Sequence, residues 1–530
     1  MTRLLKPFRI IVSLVVLVSI AFIFLDFRQY LPPSWYHAIT YLQLVPSIRK
    51  FTIAAGLLSG GFIIVLLLTL LFGRVYCSMI CPLGIFQDII SFFSKKFRRK
   101  KFRFKYSKPK NRIRYLFLAL AVVPLLFGSI TVLGLLDPYS NFGRIFSDLG
   151  RPVYLAGNNM LSELLIKMKI YSMSPEDLSH VHLATLLYPI FILGLVIWLA
   201  LKWGRLYCNS ICPVGTFLGL LSRFSLFKIN IDKQSCTKCA KCAFVCKSQC
   251  INLKDQSVDF SRCVGCFDCL NSCESNGISY KLSIPTVKQK TKEEPGQPVA
   301  IGQERRKFLS NSVLLAGTLI GISGTSMAQE RQHRHRNRKE PLPVKKEHPC
   351  SPPGSLSLEH FNNSCTACHL CVTACPNDVL QPSLLQYGLE GFLQPYMDPT
   401  NGYCNFDCTI CGEICPNGAI LPLTKEEKQV TQVGVAKFIK HNCVVHTDGT
   451  LCGACSEHCP TKAVKMVPYQ GNLNIPEVDP EICVGCGACE HACPVQPYKA
   501  IYVDGHAVQQ IAKKPEIKKA KEEVIEEFPF

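Results

Sequence analysis

The chain has no GxGxxG run, no P-loop and no HExxH pair. These gaps exclude the usual sites for nicotinamide chemistry, nucleoside-triphosphate hydrolysis and zinc proteolysis. Acidic residues are also scarce, 38 Asp+Glu against 59 Lys+Arg, which gives a formal net charge of +21. Such an excess suggests nucleic acid, so the location of the charge has to decide. At 530 residues and 48% hydrophobic side chains the chain is neither disordered nor a small secreted disulfide scaffold. The length allows three or four domains. Cysteine is what the sequence has in plenty, with 30.

Four stretches carry no formal charge over roughly a bilayer's width: residues 10–25, 51–73, 115–136 and 183–201. The first is short and flanked by Arg9 and Asp26, so its ends must snorkel. A cleavable signal peptide competes for it, but no small-residue cleavage site comes after it. Residues 74–114 hold thirteen Lys/Arg and one acid, Asp88, whereas residues 137–182 hold four Lys/Arg and five acids. Both ends of a four-helix unit are therefore expected in the cytoplasm, and much of the basic excess becomes a topology signal rather than a nucleic-acid footprint.

The second and fourth stretches end in nearly the same words, GRVYCSMICPLG (73–84) and GRLYCNSICPVG (204–215). Two helices plus this loop form a unit present twice, and such duplication normally buries a face shared by the halves. The cofactor-binding candidates here are Cys77, Cys81, Cys208 and Cys212. One metal centre, a pair of disulfides, or structural thiols beside Pro82 and Pro213 all remain open, although cytoplasmic placement argues against disulfides.

The remaining cysteines come in quartets. Cys236, Cys239, Cys242 and Cys246 follow the spacing C-x2-C-x2-C-x3-C, as do Cys263, Cys266, Cys269 and Cys273. Beyond residue 360 there are four more: Cys365, Cys368, Cys371 and Cys375; Cys404, Cys408, Cys411 and Cys415; Cys443, Cys452, Cys455 and Cys459; Cys483, Cys486, Cys489 and Cys493. Three thiolates at two-residue intervals wrap one iron–sulfur cube, and the fourth reaches the neighbouring cube. Zinc sites need two pairs across a longer loop, and disulfide frameworks have no reason to repeat this spacing. Six [4Fe–4S] clusters are expected. In the first pair of quartets, Cys273 should join Cys236, Cys239 and Cys242, and Cys246 should join Cys263, Cys266 and Cys269. Lys247 and Glu274 stand there where a proline usually comes after the last ligand, while Pro376, Pro416, Pro460 and Pro494 keep it. For the later four, nesting and pairing of neighbours are equally compatible with spacing. Cys250 and Cys350 are left over as free thiols. Cys365, Cys368 and His369 spell the haem pattern CxxCH, but inside a full quartet, so cluster ligation is expected and His369 is an incidental neighbour.

Between the ferredoxin regions, Arg305 and Arg306 precede an uncharged apolar stretch, as in a twin-arginine signal. A fifth membrane span competes for it; both place the residues beyond it outside. Export of a domain already folded around its clusters would spare its cysteines from oxidation. Ser326-Met327-Ala328 is a candidate cleavage site.

The doubled GRxYCxxxCPxG with a two-cluster ferredoxin resembles the NapH family of membrane ferredoxins, and the twin-arginine segment with four CP-terminated quartets resembles the NapG family, as if the two were fused. The resemblance implies quinol oxidation at the bacterial inner membrane. Electrons would pass to a periplasmic oxidoreductase such as nitrate reductase, or to its cytochrome. The implied partners are the quinol pool and the twin-arginine translocase. Maturation of a cytochrome-oxidase-type metalloenzyme is the alternative, and a NosR-like regulator would need an external flavin domain that no segment supplies. The fold class expected is membrane α-helical, four helices plus a fifth apolar signal or anchor segment, with α+β two-cluster ferredoxin-like domains. The domain boundaries expected are 1–215 (membrane), 230–285 (cytoplasmic ferredoxin), 286–304 (linker), 305–329 (signal or anchor), 330–360 (linker), 361–505 (exported four-cluster domain) and 506–530 (charged tail).

Overall fold

In the computed structural model, the described residues are 4–26, 28–53, 56, 60–97, 104–172, 174–175, 183–275, 277–283 and 341–514. The expected twin-arginine segment, the linker before it and most of the charged tail lie outside them. The described residues fall in a single unit, Met1–Ser283 with Pro341–Phe530.

Two of the four uncharged stretches form helices long and apolar enough to cross a membrane, Leu5–Ile23 and Leu183–Trp203. The other two are interrupted. Residues 51–73 contribute the end of one helix, Leu44–Ile53, and a separate helix, Gly61–Phe72. Twelve residues rise about 18 Å, short of a bilayer's roughly 30 Å core. Residues 115–136 are divided between Asn111–Leu126 and Thr131–Leu136. Pro124 cannot donate to the helical ladder, and Gly128 turns the chain at φ 91°. Uncharged length therefore overstated helix continuity, because it counted residues whose backbone turns. The helices still present apolar side chains outward, among them Ile11, Leu14, Val15, Val18, Leu67, Leu187, Ile190 and Phe191.

The repeated loops fold alike. Gly73 and Gly204 leave their helices at φ 80° and 67°. A short helix comes next in each, Tyr76–Met79 and Leu206–Ser210. Pro82 and Pro213 then open Pro82–Phe97 and Pro213–Leu221, where a missing N–H costs nothing.

The first ferredoxin region is small and α+β. Phe227–Ile231 pairs antiparallel with Ile278–Leu282, and Ile251–Asn252 with Ser257–Val258. In the second region Thr431–Phe438 pairs antiparallel with Ile501–Ile511, Val464–Gln470 with Leu473–Val478, and Leu380–Pro382 with Pro395–Met397. Short helices such as Lys241–Val245 and Leu370–Ala374 carry the third cysteine of their quartets.

These two regions sit at opposite ends of the same helices. Lys6, at the start of Leu5–Ile23, pairs with Asp268 at 3.0 Å. Beyond its other end, Gln29 donates to the carbonyl of Ala374 at 2.9 Å. Nineteen residues rise about 28 Å between those ends. Leu183–Trp203 repeats the arrangement with reversed direction: Gln249 donates to the Trp203 carbonyl, and Tyr188 meets Phe392 edge-on at 6.3 Å.

Candidate iron–sulfur relay

Each regular quartet has the same backbone device. The residues flanking its second cysteine are both left-handed: Lys238 and Ala240, Gly265 and Phe267, Ala367 and His369, Gly485 and Gly487. Alternating hand turns successive N–H groups inward and makes a nest for an anion, as iron–sulfur sites use. Quartets with enlarged first gaps lack it. Thr409 and Gly453, next to the second cysteines there, have φ −119° and −131°. Beside Cys404, Lys428 supplies positive charge instead; it is buried and donates to the carbonyls of Asn405 and Phe406.

The fourth cysteine crosses to a neighbouring quartet throughout. Cys236, Cys239, Cys242 and Cys273 line one small cavity. Cys246, Cys263, Cys266 and Cys269 line another, with Cys250 at its wall. Cys443, Cys452, Cys455 and Cys493 surround a third. Burial pushes up the Cys489 thiol, and the nearby Cys486, Cys483 and Cys459 push it further. Cys371 is raised in the same way by burial, then by Cys365, Cys368 and Cys415, and Cys411 by burial, then by Cys404, Cys375 and Cys408. Neighbouring quartets are thus the ones whose fourth cysteines change places, a choice spacing left open.

Among the described residues no three His, Cys, Asp or Glu side chains close on one point, as ligands of a bare ion must. Four thiols held apart around a cavity, beneath inward N–H groups, fit a multi-iron cluster better than zinc. All 30 cysteines are free of disulfides. Cys250 has its sulfur 3.6 Å from that of Cys246. Cys350 is buried, with its thiol 4.0 Å from the Val503 carbonyl. Cys77, Cys81, Cys208 and Cys212 meet in the helical core, and that core also contains Cys368.

Two residues have roles that sequence did not show. His369 is no incidental neighbour of the quartet: it is buried, 2.8 Å from Asp148 of the helical unit. Lys247, in the place of the usual proline, bridges Asp88 at 3.5 Å and Asp268 at 3.2 Å, joining the first ferredoxin region to the helix Pro82–Phe97 that the first repeated loop leads into. The departure from CP was its only trace in sequence.

A duplicated helical unit with nest-forming cysteine quartets at both ends defines a multi-cluster iron–sulfur electron-transfer protein. Four family models match, all iron–sulfur. A 4Fe-4S binding domain covers residues 54–100 and 185–232. Three 4Fe-4S dicluster domains cover residues 259–379, 364–420 and 450–496. The methylamine utilization ferredoxin-type protein MauM of Methylophilus methylotrophus is 32% identical over 191 residues, 34% of this chain and 78% of the relative. The ferredoxin-type protein NapG of Haemophilus influenzae is 30% identical over 214 residues, 38% of this chain and 71% of the relative. The putative electron transport protein YccM of Escherichia coli is 25% identical over 264 residues, 49% of this chain and 65% of the relative. No solved structure matches. The chain belongs to the ferredoxin-type family that includes MauM and NapG.

Proposed function

We propose that the chain is a membrane-bound relay, a quinol dehydrogenase component that passes single electrons to a periplasmic oxidoreductase of the nitrate reductase kind or to its cytochrome. It would combine a NapH-like half and a NapG-like half. One observation carries the reading: the two cysteine-quartet regions occupy opposite ends of Leu5–Ile23, whose outward side chains are apolar. A soluble ferredoxin has no use for that separation or that surface. In this reading residues 230–285 face the cytoplasm and residues 361–505 the periplasm of a bacterial inner membrane, with the twin-arginine translocase exporting the latter.

The six quartets would hold six [4Fe–4S] clusters, three cysteines from one quartet and one from its partner. Bound clusters supply one-electron exchange without bond making. The chain's own residues set the environment. Backbone N–H groups of the nests face the anionic sites, Lys428 lies beside Cys404, and Asp148–His369 and Arg151–Asp378 fasten the second region to the helices. Maturation of a cytochrome-oxidase-type enzyme shares the paired CxxxCP loops, but such a role gives no purpose to four outer quartets.

The test is reduction of the clusters by a short-chain quinol in membranes containing the full chain, monitored by absorbance and EPR under argon. Bleaching of both regions supports the reading. Clusters that stay oxidised while an added chemical reductant bleaches them would remove quinol as donor. Loss of metal from another complex when the gene is deleted, with electron flow intact, would favour maturation.

A further inference from the structure

The four cysteines of the repeated loops fit neither half alone, since each loop brings only two. In the structure they form one buried group with approximate two-fold symmetry, each thiol only 3% exposed. Every sulfur has an N–H facing it. Arg74 Nη2 points at Cys77 Sγ at 3.7 Å, and its counterpart Arg205 Nη1 at Cys208 Sγ at 3.9 Å. The Gly215 backbone N–H donates to Cys212 Sγ at 3.3 Å, and that of Gly84 to Cys81. Gln87 adds a donor to Cys208 at 3.3 Å. The halves also interlock: Arg205 donates to the Cys77 carbonyl at 2.7 Å and Arg74 to the Cys208 carbonyl at 3.2 Å. A Cβ at Gly84 would lie 2.3 Å from the Cys77 carbonyl oxygen, and one at Gly215 2.2 Å from that of Cys208.

Charge decides what the group holds. Arg74 is 1% exposed, and its polar partners besides Cys77 are Asn209 Oδ1 and the carbonyls of Ser261 and Cys208. None is an anion. Arg74 Nε and Arg205 Nη2 are buried and have no partner at all. Arg205 is paired with Asp88 at 2.9 Å, but the Arg74 guanidinium beside four neutral thiols, or beside two disulfides, would stand uncompensated at high cost. Thiolates bound to metal remove that cost. Because the thiols do not close on one point, a multi-iron centre fits better than a bare ion.

We propose that Cys77, Cys81, Cys208 and Cys212 together bind one iron–sulfur centre shared by the two halves of the repeat, with Arg74 as its counter-cation and Arg205, held by Asp88, as a second N–H donor. It stands between the two cluster regions. On one side Ser78 and Val75 pack on Gly265, next to Cys266. On the other, the same core runs through Phe86, Phe142 and Tyr139 to Cys368, and Gly143 meets the Cys368 carbonyl. One electron arriving from the first region reduces one ferric iron to ferrous, and its departure to the second restores ferric; no bond changes and no proton moves. This role rests on the relay reading above, whereas the existence of the centre does not.

The test uses full-length protein purified in detergent under argon. Iron and labile sulfide should exceed six cubanes by roughly two to four irons. In C77S/C208S that excess should vanish while the EPR signals of the other clusters persist. Unchanged iron and spectra would overturn the proposal. If the double variant does not accumulate, R74K decides: loss of the planar N–H fork should leave iron content intact and lower the midpoint potential of one signal. Unshifted potentials, or alkylation and mass mapping that find these cysteines as disulfides in the unmutated chain, would also overturn it. Failure of quinol reduction with the extra centre present would count only against the donor.

Discussion

His369 Nδ1 stands 2.8 Å from the Asp148 carboxylate, 221 residues away in sequence, with the two side chains 0% and 7% exposed. The other ring nitrogen is 2.9 Å from the Leu393 carbonyl. The ring thus bridges the Asp148 carboxylate and the Leu393 carbonyl, one partner on each nitrogen. It fixes the backbone beside Cys368 to the helical unit.

Asp148→Asn should therefore loosen the second region. Weakening a buried hydrogen bond from one side costs about 1–3 kcal/mol. Thermal unfolding tracked by cluster absorbance should show the second region melting earlier and separately. A single unshifted transition would mean that the pair does not hold the interface.

Asp88 should be the linchpin at the opposite end. Burial alone would raise its pKa, but Arg205, Lys247 and Arg9 outweigh burial and hold it well below the usual carboxylate range. A depressed folded pKa means that the stabilisation is complete above the unfolded value, about 4, and is lost as pH falls below it. Asp88→Asn leaves Arg9 and Arg205 uncompensated, at about 3–5 kcal/mol. The stability difference from the unmutated chain should be flat from about pH 8 to about pH 5 and shrink below about pH 4. A difference that changes around neutrality would implicate another group.

Cys250 should act as a spare ligand. Its sulfur lies 3.6 Å from that of Cys246 and at the wall of the same cavity. Cys246→Ser should retain its cluster with altered EPR g-values, while C246S/C250S should lose about four irons. Equal loss in both variants would show that Cys250 cannot reach.

Gly143→Ala should weaken the docking of Cys368 even though alanine is the better helix former. An added Cβ would sit 2.4 Å from the Cys368 carbonyl oxygen and 2.6 Å from the Phe24 ring, inside the helix Pro138–Arg144. Overpacking of this kind costs about 1–3 kcal/mol. The check is the same melting curve, and a stability equal to the unmutated chain would show that the contact has slack.

Legibility tracked the range of each interaction. The cysteine spacing is local, so the meeting of Cys273 with Cys236, Cys239 and Cys242, and of Cys246 with Cys263, Cys266 and Cys269, could be read from it. The partnering of the later quartets is tertiary and could not. Pro124 was visible in the sequence, yet an uncharged stretch concealed the turn it makes with Gly128. Least visible were the contacts that join the regions. Lys247 with Asp88 and His369 with Asp148 are separated by well over a hundred residues, and nothing near either lysine or histidine names its carboxylate.

The central claim is that electrons pass from one end of the helical unit to the other. Proteoliposomes enclosing ferricyanide, with dithionite added outside, test it directly, since neither reagent crosses the bilayer. The full chain should reduce the enclosed ferricyanide, and Cys368→Ser should slow this at least tenfold. Ferricyanide that stays oxidised while the outward-facing clusters bleach would contradict the account.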